Sequence, residues 1–196
     1  MEVKILMKLM FASDIHGSAY YCEKMLEAYE KEKAERLVLL GDILYHGPRN
    51  DLPCQYDPKR VIKMLNALKN EIYAVRGNCE AEVDQMVLDF PVMADYCLLL
   101  EGSAAVYATH GHIYNENHLP PLKENDALIH GHTHVFKAEY RPGSEQNPGY
   151  FLLNPGSVAL PKENNIPTYG ILDKGIFMIK GFDGERAAEI KLRRTE

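Results

Sequence analysis

Seven side chains that can bind a metal ion occur in this chain in one ordered series, each shortly after an apolar run. Carboxylate and amide oxygens stand beside imidazole nitrogens, and this mixture suits Mn²⁺, Fe or Zn²⁺ better than Ca²⁺. The apolar runs are typical of β-strands, and ligands at the carboxyl ends of neighbouring strands converge in space. The sequence therefore predicts a metal site. The seven residues are Asp14, His16, Asp42, Asn78, His110, His132 and His134.

Hydrolysis by two metal ions requires that they lie about 3.5–4 Å apart and share a ligand. Bound cations lower the pKa of a coordinated water from about 15.7 to roughly 7, so hydroxide forms at neutral pH. A carboxylate suits the shared position because its two oxygens can contact two metals. Asp42, which follows an apolar run and Gly41, is the predicted shared ligand and hence a catalytic residue.

Seven motifs that extend over nearly the whole chain contain or adjoin these residues. They are Lys8–Ser18, Gly41-Asp42, His46–Asn50, Arg76–Cys79, Thr109–His112, Gly131–His134 and Asn154–Ser157. Together these motifs resemble the calcineurin-like metallophosphoesterase superfamily, and within it the small bacterial YfcE-like phosphodiesterases. The resemblance implies a metal-dependent phosphodiesterase.

The resemblance also implies how the ligands divide between two metals that share Asp42. Residues i and i+2 of an extended segment point to the same side, so His132 and His134 can reach two neighbouring ions. Asn78 would contribute a neutral amide oxygen. The implied sets are Asp14, His16, Asp42 and His134 for one metal, and Asp42, Asn78, His110 and His132 for the other.

The residue after Asn78 departs from many phosphomonoesterases of the superfamily, which carry a histidine there to protonate the leaving alkoxide. This chain has Cys79, as the YfcE-like branch does. A thiol, with a reference pKa of about 8.5, could donate a proton, or Cys79 could be only a small buried side chain. His112 could act as the acid, hold the substrate, or support the metal ligands. Because the histidine that would protonate the leaving group is replaced by Cys79, we expect a preference for good leaving groups such as phenolates.

The segment that follows Asp42 is expected to lie on the rim of the site and to bind substrate. Arg49 could hold a phosphate oxygen through two hydrogen bonds, and His46 could line the pocket. Asn50 could accept a hydrogen bond from the substrate or brace the loop. The same segment could instead be a turn started by Pro48, with solvated polar side chains.

The elements that must position these residues follow from the hydrophobic pattern. Strands and helices alternate in the first half, with helices predicted from Tyr20 to about Lys33 and from Pro58 after an Asp57 cap. The second half has short apolar runs between turn residues, with hairpin turns at 173–175 and 183–184. With the resemblance, this order predicts an α/β fold: a four-layer sandwich of two mixed β-sheets packed face to face, with helices outside.

Length and composition limit the possible classes. A chain of 196 residues with 46% apolar content fits one domain, residues 1–196, in which residues 1–6 form an N-terminal extension. No run of about 18 apolar residues is present, so no membrane span is expected. Four scattered cysteines without a secretory signal predict reduced thiols and a cytoplasmic location. The net charge of −6 argues against stable nucleic-acid binding.

These features predict an enzyme with two divalent metal ions, Mn²⁺ before Fe or Zn²⁺. A hydroxide held between the ions would attack the phosphorus of a small phosphodiester. One alternative is a phosphomonoesterase or a nucleotide or pyrophosphate hydrolase with the same site. Another is a non-catalytic binding scaffold, in which loss of metal ligands would be expected. A homodimer or homotetramer is also expected.

Overall fold

The computed structural model describes residues 7–192, which form two β-sheets and three helices. The predicted N-terminal extension, residues 1–6, lies outside the described residues. The elements in chain order are β1 (Leu9–Ala12), α1 (Ala19–Glu32), β2 (Arg36–Leu39), α2 (Pro58–Asn66), β3 (Ile72–Ala74), α3 (Glu82–Val87), β4 (Tyr96–Glu101), β5 (Ala104–Thr109), β6 (Ala127–Ile129), β7 (Lys137–Arg141), β8 (Tyr150–Asn154), β9 (Thr168–Asp173), β10 (Ile176–Gly181) and β11 (Arg186–Lys191).

Both sheets are mixed. The first has six strands in the order β11-β10-β9-β1-β2-β3, and the second has five in the order β4-β5-β6-β8-β7. Strands β1, β2 and β3 are parallel to one another, as are β5, β6 and β8. The carboxyl ends of each parallel group therefore lie at one edge of their sheet, which is where the predicted metal ligands follow.

The hydrophobic core has two layers because successive side chains of a strand point to opposite faces. On β1, Met10 and Ala12 pack against the helices, whereas Leu9 and Phe11 pack against the second sheet. The rings of Phe11 and Phe177 meet edge to face, with centroids 6.1 Å apart, in the layer between the sheets. Strands covered on both faces consist of continuous apolar residues, so β1 and β2 could be predicted from the sequence as apolar runs.

The predicted helices α1 and α2 are present and begin at side-chain caps. Ser18 Oγ accepts the backbone N–H of Tyr21 at 3.3 Å before α1. Asp57 Oδ1 accepts the backbone N–H of Arg60 at 3.1 Å before α2, whose first residue is Pro58. These bonds satisfy amide groups that have no partner inside the helix. None of the helices within residues 7–192 is long and apolar enough to cross a bilayer.

The predicted α/β sandwich of two mixed sheets is confirmed. Its two outer layers differ in kind. Helices α1 and α2 cover the first sheet, whereas residues 111–126, which contain no helix in the described structure, cover the second. There Tyr114 and Leu119 pack against Tyr107 and Leu128. An irregular segment can serve as a layer because its apolar side chains still bury the outer face of the sheet.

The carboxylate of Glu32, at the end of α1, joins the helix to the first sheet. It accepts hydrogen bonds from Lys180 at 2.6 Å, Lys8 at 3.0 Å and the Tyr169 hydroxyl at 3.2 Å. Burial alone would raise the pKa of Glu32, but Lys180 and Lys8 outweigh it and hold the pKa below its ordinary value near 4.5. The ionised form therefore stabilises the folded protein.

We predict that Glu32→Gln lowers the free energy of unfolding at pH 7 by about 1–2 kcal/mol, because the ion pairs are lost and partly exposed pairs contribute modestly. The lowered pKa means that this stabilisation is complete above about pH 4.5 and lost as the pH falls. Urea unfolding at pH 7 and pH 4 measures the difference, with the exposed Glu30→Gln as control. A deficit that does not shrink at pH 4 would contradict the assignment.

Candidate metal centre

The seven predicted ligands lie together where the carboxyl ends of both parallel strand groups meet. Their side chains form two ligand groups. In the first ligand group, His16 Nε2 lies 3.6 Å from Asp14 Oδ1 and 3.6 Å from Asp42 Oδ2. His134 Nε2 lies 3.2 Å from the same Asp14 oxygen. Potential ligand atoms of Asp14, His16 and His134 all lie within 4.8 Å of one another, so this group can surround one cation.

The second group is centred on His110. Its Nε2 lies 3.5 Å from Asp42 Oδ1, 3.1 Å from Asn78 Oδ1 and 3.1 Å from His132 Nδ1. The two oxygens of Asp42 thus face different groups, Oδ2 towards His16 and Oδ1 towards His110. Asp42 has the geometry required of a carboxylate shared by two sites.

Three imidazoles are oriented by backbone carbonyl groups. The Nδ1 atoms of His16, His110 and His134 lie 2.8, 2.7 and 2.5 Å from the carbonyl oxygens of Tyr45, Leu40 and Leu160, respectively. A carbonyl oxygen only accepts, so each Nδ1 carries the proton and donates. In the neutral ring the Nε2 lone pair then points into the cluster, as metal-binding histidines require.

These donor atoms fit a divalent cation. The Nε2 atoms of His16 and His134 approach to 3.4 Å, so two lone pairs face each other when both rings are neutral. Asp14 Oδ1 is buried and accepts no hydrogen bond from the described residues. Such a site needs positive charge in its centre, supplied either by protons on the rings or by a metal ion.

The pKa values of Asp14 and His16 in the metal-free protein also indicate that the site favours positive charge. Burial would raise the pKa of Asp14, but the adjacent His134 and His16 rings, when protonated, hold it well below its usual value. Burial would lower the pKa of His16, but the Asp14 carboxylate outweighs it and raises the pKa. The aspartate therefore stays ionised and attracts a cation.

Five predicted ligands lie on backbone in the left-handed region, which costs a non-glycine residue about 1–3 kcal/mol. Loops with this conformation turn sharply after the strands and direct neighbouring side chains to one point. Their conformations are held by packing and hydrogen bonds around them. The φ angles are 58° for Asp14, 49° for His16, 54° for Asp42, 64° for His132 and 61° for His134.

Glu80 braces the loops that carry Asp42 and Asn78, a role that the sequence motifs do not predict. Its carboxylate accepts backbone N–H groups of Asp42 at 2.9 Å, Ile43 at 2.7 Å and Gly77 at 2.5 Å. A side chain on Gly77 would collide with Asp42 Oδ1, so the close approach requires glycine there. An acidic residue two positions after Asn78 was the available signal.

Asn154 and Ser157 support the site from behind. Ser157 Oγ donates to the Asp14 carbonyl at 3.0 Å and accepts the backbone N–H of Leu160 at 2.9 Å. Asn154 Nδ2 donates to the Gly131 carbonyl at 2.9 Å. Both side chains thereby fix loops that carry predicted ligands.

A cleft of about 440 Å³ opens over the cluster. Arg49, Asn50 and Lys162 line it, and Lys162 had no signal in the sequence. Four of the seven predicted ligands also line it: Asp42, Asn78, His132 and His134. Asn50 Nδ2 donates to the His46 carbonyl at 2.8 Å, so it braces the loop. His46 is absent from the described lining of the cleft.

The two residues considered as proton donors differ in position. Cys79 lines the cleft, and burial together with the Asp42 carboxylate raises the pKa of its thiol, which makes it a weak acid. His112 packs against His110, with ring centroids 5.3 Å apart, and is absent from the described lining. Burial and His110 lower the pKa of His112 to about 4, so its ring is neutral at pH 7 in the metal-free protein.

Most of the chain matches a known family. Residues 7–175 match the family described as the calcineurin-like phosphoesterase superfamily domain. This span includes all seven predicted ligands, Glu80 and the residues that line the cleft.

Individual proteins agree with this match. The chain is 46% identical to phosphodiesterase YfcE of Escherichia coli K12 over 174 residues, covering 89% of this chain and 91% of that protein. It superimposes on a solved structure of the E. coli phosphoesterase YfcE with a TM-score of 0.90 at 44% identity, covering 95% of this chain and 100% of the other. It is 27% identical to "Probable metallophosphoesterase YsnB" of Bacillus subtilis, covering 85% and 83% of the two chains. The predicted resemblance is confirmed.

We predict that Glu80→Gln weakens Mn²⁺ binding by about 10- to 100-fold, the usual effect of losing a group that orients metal ligands. Glutamine has one acceptor oxygen, and its amide group would face the backbone N–H groups that the carboxylate accepts. Calorimetric titration of stripped protein with Mn²⁺ measures the change, and Glu82→Gln, on an exposed side chain nearby, is the control. Equal affinity in both variants would exclude Glu80 as a brace.

Proposed function

The chain belongs to the calcineurin-like phosphoesterase superfamily, and we propose that it hydrolyses phosphodiesters with two divalent metal ions. A metal-dependent phosphoesterase follows from the family and from the similarity to a named phosphodiesterase. The number of metals and the preference for diesters are our proposals. They are supported by the division of the ligands and by the residue at position 79.

The observation that carries the two-metal proposal is the position of Asp42. Its Oδ2 lies 3.6 Å from His16 Nε2 and its Oδ1 lies 3.5 Å from His110 Nε2. One carboxylate whose two oxygens face two separate sets of donor atoms supports a pair of cations better than one. We assign Asp14, His16, Asp42 and His134 to one ion, and Asp42, Asn78, His110 and His132 to the other. The mixed oxygen and nitrogen ligands favour Mn²⁺, with Fe or Zn²⁺ as alternatives.

Bound at these positions, the two cations would acidify a water molecule and offset the charge that builds on the phosphoryl oxygens. The protein's own residues would bind and orient the ester. Arg49 and Lys162 line the cleft with positive charge and can hold phosphoryl oxygens or a polar ester group. Asn50, fixed through the His46 carbonyl, keeps this rim in place.

The residue beside Asn78 supports the preference for good leaving groups. Cys79 lines the cleft where its backbone N–H donates to Asp42 Oδ1 at 2.9 Å. A thiol at this position is a poorer proton donor than an imidazole, so the leaving oxygen receives little help from the protein. His112 lies beside His110 and supports the ligands rather than the substrate. Phenolates, which leave without protonation, are therefore the preferred leaving groups.

A phosphomonoester is the second candidate substrate. A monoester carries one more negative charge than a diester, and Arg49 and Lys162 could bind it. The same reasoning extends to a nucleotide or a pyrophosphate. A non-catalytic scaffold is disfavoured, because all seven donor side chains are present. The cytoplasmic location, the homodimer or homotetramer and the lack of nucleic-acid binding stay predictions.

The first test compares bis(p-nitrophenyl) phosphate with p-nitrophenyl phosphate, using stripped protein to which Mn²⁺ is restored. We expect kcat/KM to be at least about tenfold higher for the diester. Asp42→Ala should reduce both activities to background, because the shared ligand is lost. Faster hydrolysis of the monoester would favour the second candidate, and full activity without metal would refute both.

We also predict that Cys79→His raises the turnover of glycerol phosphate, a substrate with a poor alkoxide leaving group. General acid catalysis typically accelerates a reaction by about 10²–10⁴-fold, and an imidazole can donate a proton near pH 7. Phosphate release by the Mn²⁺-loaded variant measures the gain, and Cys79→Gln controls for side-chain size. No gain in a folded, metal-loaded variant would count against the missing acid as the cause of the preference.

A further inference from the structure

An apolar cavity lies beside the metal cleft. Its volume is about 420 Å³, within the range of sites that bind small organic groups. The loop after β2, the start of α2 and the short helix α3 form its walls. The apolar lining includes Leu44, Tyr45, Tyr56, Ile62, Val83 and Val87.

Cys79 connects the cavity to the metal centre, because its side chain lines both the cavity and the cleft. Cys79 Sγ accepts a hydrogen bond from Asn78 Nδ2 at 3.3 Å, and its backbone N–H donates to Asp42 Oδ1. A group bound in the cavity would therefore lie next to two of the proposed metal ligands. The cavity is therefore placed to receive an ester group of a substrate whose phosphoryl group lies in the cleft.

The walls of the cavity are held by the same loops that hold the metal ligands. The Tyr45 carbonyl accepts the Nδ1–H of His16 at 2.8 Å. His46 packs between Tyr45 and Tyr56, with ring centroids 4.8 and 5.3 Å away. This contact explains the position of His46 outside the cleft. The cavity thus has a fixed position relative to the metal centre.

The charges of the two spaces are complementary to a phosphodiester with one apolar arm. Arg49 and Lys162 line the cleft, whereas the charged residue in the described lining of the cavity is Asp84, a carboxylate that repels phosphate. Apolar side chains at the cavity remain exposed, with 43% of Tyr45, 60% of Val83 and 39% of Val87 accessible. An apolar ligand would cover this surface.

We propose that this cavity is a subsite for an aromatic or other apolar ester group of the substrate, whose phosphoryl group lies at the metal centre. The proposal rests on the proposed function and names a substrate class: phosphodiesters with at least one aromatic or similarly apolar arm. The polar cleft takes the phosphoryl group and the other arm. The cavity thereby discriminates between substrates through their binding affinity rather than through the rate of the chemical step.

Binding of two phosphonates to the Mn²⁺-loaded protein tests the subsite. Phenylphosphonate carries the apolar ring and methylphosphonate lacks it, while both present the same phosphonyl group to the metals. We expect calorimetry to give an about tenfold lower Kd for phenylphosphonate, as burial of an aromatic ring implies. Val83→Glu should bring the ratio of the two Kd values towards one, because it places a charge in the apolar lining that contacts the ring.

Met86→Glu is the matched control, because Met86 lies on the same helix, is 82% exposed and is absent from the described lining. It should keep the wild-type ratio. A wild-type ratio near one, or a ratio unchanged by Val83→Glu, would overturn the subsite. Unchanged ratios with a smaller particle in sedimentation velocity for Val83→Glu would show that a second copy covers the cavity, which also overturns it.

The two proposals fail in different ways. If phenylphosphonate shows no advantage but bis(p-nitrophenyl) phosphate is hydrolysed with Mn²⁺, the subsite is wrong and the proposed function stands. If the tenfold preference and its loss in Val83→Glu are observed but no diester is hydrolysed, the cavity binds an apolar group and the proposed reaction is wrong.

Discussion

Two buried aspartates among imidazole lone pairs form the constraint on which the structure depends. Asp14 and Asp42 are almost fully buried, and the Nε2 atoms of His16, His110 and His134 point towards them. An uncompensated buried carboxylate costs several kcal/mol, so the cluster needs positive charge. Divalent cations supply that charge most directly. We infer that bound metal ions would stabilise the folded structure as well as take part in the proposed reaction.

The cluster also determines how the two sheets meet. Asp14 and Asp42 follow strands of the first sheet, whereas His110 and His132 follow strands of the second. The backbone N–H of His132 donates to Asp14 Oδ2 at 3.0 Å, which joins the sheets directly at the site. The left-handed loops that make this possible are unfavourable by themselves. Glu80, Asn154 and Ser157 hold them through backbone hydrogen bonds, so the strain is stable only within the complete sandwich.

The predicted ligands could be located in the sequence because residue type and position after a strand indicate their chemistry, and the structure brings these side chains together. The strands β1 and β2 were visible as apolar runs, and the order of the motifs led to the family and its fold. The sequence did not reveal features that depend on how loops pack against one another. Glu80 bonds to backbone groups up to 38 residues away, and its position two residues after Asn78 does not by itself identify those partners. Lys162 reaches the cleft from a loop that follows the second sheet, and the apolar cavity is assembled from three separate segments.

The most direct test of the account is anomalous scattering from crystals of the protein soaked in Mn²⁺, recorded on both sides of the manganese edge. The account predicts two peaks about 3.5–4 Å apart, one on each side of the Asp42 carboxylate, each bound by its own set of ligands. A single peak, or two peaks that do not share Asp42, would contradict the central claim.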